Sequence, residues 1–104
     1  LQRLNDTENV IYHLFEKKET LPIGDQPALQ RRIDQLTMDY LYITMSLTRS
    51  MREVESRIKR LEAKGLFLLP DKGYTKKYSA FRKMIASKMG RRIMIATIAL
   101  KQKL

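Results

Sequence analysis

Cysteine is absent from this 104-residue chain, so it can form neither a disulfide framework nor a thiolate metal site. That fits a reducing compartment. Histidine occurs once, as His13 on an amphipathic stretch, where a surface or core role is expected rather than a ligand role. No H-E-x-x-H, phosphate-cradling glycine loop or nucleophile elbow is present. No catalytic residue, metal ion or cofactor is therefore expected, and the chain does not read as an enzyme. Long apolar runs are missing too. The longest, "IMIATIAL" from Ile93 to Leu100, is too short to span a bilayer. No signal-peptide pattern opens the chain, and its first residue is Leu rather than Met, as in a segment cut from a longer protein. The expected setting is cytoplasmic or nucleoid-associated, with no membrane partner.

Acidic residues are scarce in one region only. Residues 1–63 hold ten Lys/Arg and ten Asp/Glu, which cancel, whereas residues 64–104 hold eleven Lys/Arg and one acid, Asp71. The whole formal charge of +10 thus lies in the last 41 residues. Such asymmetry points to a polyanionic partner, nucleic acid before an anionic membrane surface.

Glycine and proline are absent from Ala28 to Lys64, and two readings compete there. Ile33, Leu36, Tyr40, Ile43, Leu47, Val54 and Leu61 fit a heptad, which would make residues 27–64 one long helix of a coiled-coil interaction module. Alternatively "SLTRS" (46–50) marks a turn, because Ser and Thr are mediocre inside helices and good at caps. Ser50 would also occupy a core position of that heptad, which favours the break.

Elsewhere the pattern is helical or hairpin-like. "NDTENVIYHLFEKK" reads as a helix capped by Asp6 or Thr7, with Val10, Ile11, Leu14 and Phe15 on one face. "ETLPIGDQP" interrupts it, and Leu21 to Ile23 could form a short strand. A second helix is expected from near Pro27, burying Leu29, Ile33 and Leu36. After Gly65, "LFLL" reads as a strand, "PDKG" (70–73) as a turn and "YTKKYS" as a returning strand. From Ser79 a helix is expected with Phe81, Met84, Ile85, Met89 and Ile93 as its apolar stripe. Gly90 would bend it or admit a close helix crossing.

Residues 39–78 resemble the winged helix-turn-helix family of DNA-binding domains. In the resemblance Asp39 starts the first helix of the motif, Ile43 and Leu47 are its buried positions, and Ser50 caps the recognition helix. Val54, Ile58 and Leu61 match that helix's inward face, and Gly65-Leu66-Phe67 its exit into the wing. Thr48 and Arg49 depart from the family's turn, where a glycine and a small apolar residue are usual. A weaker resemblance, of "LQRRIDQL" (29–36) to the first helix of the helical chorismate mutases, lacks the acidic-basic cluster that "PDKGYTKKYS" would have to supply.

The face of "EVESRIKRLEAKGLF" opposite Val54 tests the DNA reading independently of the family. At 100° per residue, Ile58 and Leu61 fall within about 40° of Val54. The opposite arc holds Arg49, Arg52, Ser56, Lys59, Arg60 and Ala63, with Glu53, Glu55 and Glu62 on the flanks. Cations and small residues on one arc suit a major groove. The expectation is a single domain, 1–104: a mainly α winged helix-turn-helix core with a small β-hairpin (1–78) and a C-terminal basic amphipathic helix (79–104). It would bind double-stranded DNA sequence-specifically as a homodimer, in transcriptional regulation or in plasmid or phage replication or partition. Arg49, Ser50, Arg52, Ser56, Lys59 and Arg60 would read the groove, and Lys72, Lys76 and Lys77 on the wing would meet phosphates. Met84, Ile85, Met89 and Ile93 would form the dimer contact.

Overall fold

The structure, a computed structural model, describes residues 2–67, 69 and 76–103. Five helices account for nearly all of it: α1 (Gln2–Lys18), α2 (Gln26–Thr48), α3 (Met51–Ala63), α4 (Lys76–Ile85) and α5 (Lys88–Lys103). A 3-10 turn, Ile23–Asp25, joins the first two. It replaces the strand expected at Leu21 to Ile23. The first helix also starts before Asp6 and Thr7, whose expected capping role is lost; Thr7 instead donates its hydroxyl to the Arg3 carbonyl within the helix.

α2 is the central element. Pro27 sits in its first turn, where the missing N–H costs nothing. α1 runs antiparallel beside it: Lys18 Nζ donates to Gln30 Oε1 at 2.6 Å near one end, and Tyr40 donates to Glu8 near the other. Ile33, Met38, Leu41 and Met45 of α2 are fully buried with Leu4 and Ile11 of α1 and Val54, Ile58 and Leu61 of α3. Burying each such side chain contributes roughly 1.5–3 kcal/mol relative to leaving it in water. Thr37 and Thr44 lie in the same interior with their hydroxyls donated to the carbonyls of Ile33 and Tyr40, at 2.7 and 2.8 Å.

Residues 27–64 are two helices, not one. α2 ends as Arg49 takes a left-handed conformation (φ 48°, ψ 36°), and Ser50 caps α3 by accepting from the Glu53 N–H at 3.2 Å. The Ser/Thr cluster breaks the helix because the Ser50 side chain satisfies a backbone donor that a continuous helix would have bonded internally. The long coiled-coil helix is therefore excluded. Asp39 falls in the interior of α2 and starts no helix. Ile43 and Leu47, expected to be buried, are 43% and 59% exposed.

The β-hairpin wing is the principal correction. Among the described residues there is no strand, and every regular element is a helix. α3 ends in a Schellman motif: Gly65 has φ 78°, its N–H reaches the Glu62 carbonyl at 3.0 Å, and the Leu66 N–H reaches Leu61 at 2.9 Å. Leu66 then turns inward and is buried, and Leu69 is held by Arg82 Nε on its carbonyl at 3.0 Å. Lys76 and Lys77 open α4 instead of a returning strand. The reason is period: Tyr78, Phe81 and Ile85 recur at helical spacing and pack against the core. The "PDKG" turn, with Lys72, lies outside the described residues.

The helix expected from Ser79 onward is also two. α4 stops at Ile85, and Ser87 caps α5 by accepting from the Gly90 N–H at 3.0 Å. Gly90 serves a close crossing, because a Cβ there would collide with the Met84 carbonyl oxygen.

Candidate nucleic-acid interface

The outward face of α3 follows from how its inward face is used. Val54, Ile58 and Leu61 are buried to 1% exposure or less, which turns the arc opposite them to solvent. Arg49, Arg52, Ser56 and Lys59 are exposed. None of the three cations among them enters an ion pair among the described residues. Ser50, expected among the readers, is half-buried and engaged as the cap.

The flanking acids of α3 are drawn inward. Glu53 accepts from Arg57 Nε at 2.7 Å, one turn along the same helix. Glu55 accepts from Arg91 of α5, with Nε at 2.7 Å and Nη2 at 3.2 Å. The Arg91 Nη1 also donates to the Ile85 carbonyl at 2.7 Å, so this buried guanidinium ties the end of α4 and the start of α5 to α3. Two of the three negative charges beside the basic arc are thereby compensated from inside the molecule. Glu62 remains exposed.

Arg60 belongs to a different structure. It grips Glu8 of α1, Nε to Oε2 at 2.9 Å and Nη2 to Oε1 at 2.8 Å. Glu8 is 7% exposed and also accepts from Tyr12 at 2.6 Å, from Tyr40, and from Arg57 at 3.4 Å. Arg57, itself 3% exposed, donates as well to Tyr40 Oη at 2.7 Å and Asn5 Oδ1 at 3.3 Å. Burial alone would raise the Glu8 pKa, but the hydrogen bonds from Arg60, Tyr12 and Tyr40 outweigh it and hold the carboxyl at about 2. Burial and the Glu8 hydrogen bond push Tyr40 up to about 12 and raise Tyr12 as well. The Glu8 hydrogen bond is the main cause that raises Arg60. This cluster, with its carboxylate ionised down to about pH 2 and hydrogen-bonded from four residues, fastens α1, α2 and α3 together.

Arg57 is the residue that sequence reasoning missed. It stands three positions after Val54, on the edge of the buried arc, where an Arg requires an acid to face it. The signal was there, but its partner Glu8 lies 49 residues away, and no local pattern names it. Of the expected wing residues, Lys76 and Lys77 are exposed in the first turn of α4. Of the expected dimer residues, Met89 and Ile93 are 74% and 50% exposed, Met84 is half-buried, and Ile85 is fully buried within the chain. Ile85 is thus a core residue with no surface to offer a partner.

No family model matches the chain, and neither the curated proteins nor the solved structures contain a match to it. No helix among the described residues is long and apolar enough to cross a membrane.

Proposed function

We propose that this protein binds double-stranded DNA as a homodimer, with the outward face of α3 laid against the duplex. One observation carries the reading: Glu53 and Glu55 are compensated internally by Arg57 and Arg91, which leaves Arg49, Arg52 and Lys59 exposed around the small Ser56. A helix face of cations and small side chains approaches a groove closely and pairs with phosphates and guanine edges. Ser50 contributes through the cap, which presents the helix N-terminus where base-reading residues usually lie.

The dimer contact would use α5 and α2. Met89, Ile93 and Leu100 are exposed along α5, and Ile43 and Leu47 along α2. Gln102 Nε2 donates to the Ser46 carbonyl at 3.1 Å, which sets the end of α5 beside the Ile43–Leu47 stretch. Exposed apolar side chains gathered in this way favour association, and two-fold dimers are the commonest closed assembly.

The test is a titration of labelled random duplex at two salt concentrations. With about six phosphate contacts, affinity should fall on the order of 10³ between 50 and 200 mM salt. An absence of binding at the lower salt, or binding indifferent to salt, rules the reading out.

A further inference from the structure

Between α2, α4 and α5 lies a groove of about 390 Å³ whose lining includes neither the outward face of α3 nor the exposed apolar residues of the proposed dimer contact. That volume lies within the range of small-molecule sites. Its floor and walls are apolar and soft: Met38, Tyr42, Phe81, Met84 and Met94. Tyr42 and Phe81 meet edge to face, with ring centroids 5.9 Å apart, and brace one wall. Methionine side chains reshape to fit an irregular apolar body at little cost.

The rim is charged, and asymmetrically so. Lys77 from α4 and Lys101 from α5 border the groove, and both are exposed. Neither makes an ion pair among the described residues. The one acid at the rim, Asp39, already accepts from the Tyr78 hydroxyl at 3.0 Å. The balance is two cations against one engaged carboxylate, above an apolar interior.

We infer that this groove binds an amphiphilic carboxylate, with the apolar body seated among the three methionines and the carboxylate held by Lys77 and Lys101. The apolar lining supplies affinity by removing hydrocarbon from water. The two ammonium groups select the sign of the head group. This inference does not depend on DNA binding by α3, whose outward face shares no residue with the groove.

The chain has six methionines, and three of them, Met45, Met51 and Met89, lie outside the groove lining. NMR of methionine methyl groups during a titration with monomeric decanoate therefore contains its own controls. Saturable shifts at Met38, Met84 and Met94, with Met45, Met51 and Met89 unmoved, are expected. Decanol should bind at least several-fold more weakly. The double variant Lys77→Glu, Lys101→Glu should lose roughly tenfold or more in decanoate affinity with an unchanged thermal melt, since both residues are exposed. Should the double variant melt early, decanol against decanoate on the unaltered protein still decides the head-group assignment. Shifts confined to Met89, equal binding of decanol, binding only to decanoate-containing vesicles, or no saturable shift each overturn the inference.

Discussion

Arg60 of α3 holds Glu8 of α1 through both carboxylate oxygens, at 2.8 and 2.9 Å, across 52 residues of chain. That pair is half-open to solvent on the Arg60 side, where the side chain is 46% exposed, and closed on the Glu8 side at 9%. The exposed guanidinium is therefore partly spent on the fold. It contributes less to a DNA face than its place on the outward arc of α3 suggests.

The Glu8 site makes stability acid-sensitive. Its carboxyl titrates at about 2 in the folded chain against 4.5 when free. A folded pKa below the unfolded one contributes stability that is fully present above about pH 4.5 and is lost as pH falls toward 2, worth about 3 kcal/mol for this difference. Thermal melts of the wild type should fall across that window. Glu8→Gln should melt lower at neutral pH and show a flatter acid limb. Parallel acid limbs for the two proteins would show that Glu8 is not the group responsible.

Arg57 and Arg52 lie five residues apart on one helix and should behave oppositely. Arg57→Ala removes the donor to the buried Tyr40 hydroxyl oxygen and one of the four residues that donate to the Glu8 carboxylate, and should destabilise by about 1–3 kcal/mol. Arg52→Ala, at an exposed position, should change stability by no more than about 0.5 kcal/mol. It should weaken specific DNA binding by about 1–3 kcal/mol. Denaturant unfolding and a binding titration on the same two variants check both halves; an Arg52→Ala protein that binds normally removes α3 as the reading helix.

Arg49 links the turn to the proposed interface. Its left-handed conformation costs a residue with a Cβ roughly 1–2 kcal/mol, more than the roughly 0.5–1 kcal/mol of extra chain entropy that glycine loses on ordering. Arg49→Gly should accordingly raise stability slightly while lowering DNA affinity through loss of a cation. Movement of both quantities in the same direction contradicts this account.

Gly90→Ala should be costly, because the added methyl meets the Met84 carbonyl oxygen, backbone that cannot swing aside. Separation of α4 from α5 to relieve the clash should cost about 1–3 kcal/mol, read as an earlier denaturant midpoint. A midpoint equal to wild type would mean that the crossing is looser than described.

Ile93 and Ile85 separate association from folding. Ile93→Glu places a charge on an exposed α5 position and should give a folded monomer by light scattering. Ile85→Glu buries one in the core and should unfold the chain. A wild-type protein already monomeric at high concentration removes the dimer.

The local sequence determined what is local in energy. Proline at the start of α2, Ser50 as the cap of α3, Gly65 as its stop, and the Val54–Ile58–Leu61 stripe each act within one or two turns. Their effects are legible from spacing alone. "EVESRIKRLEAKGLF" is an amphipathic helix with a glycine stop, and the wing inferred beyond it was a misreading of period. "KKYSAFRKMI" becomes α4 because Tyr78, Phe81 and Ile85 find a core to enter, and β-patterning in so short a run does not outweigh that burial. Only the tertiary structure decided which charges remain at the surface. Arg57, Arg60 and Arg91 look like any other cations in the chain until Glu8 and Glu55 approach from 36 to 52 residues away. Desolvation makes those pairings obligatory, and no spacing within a helix encodes a partner on another helix.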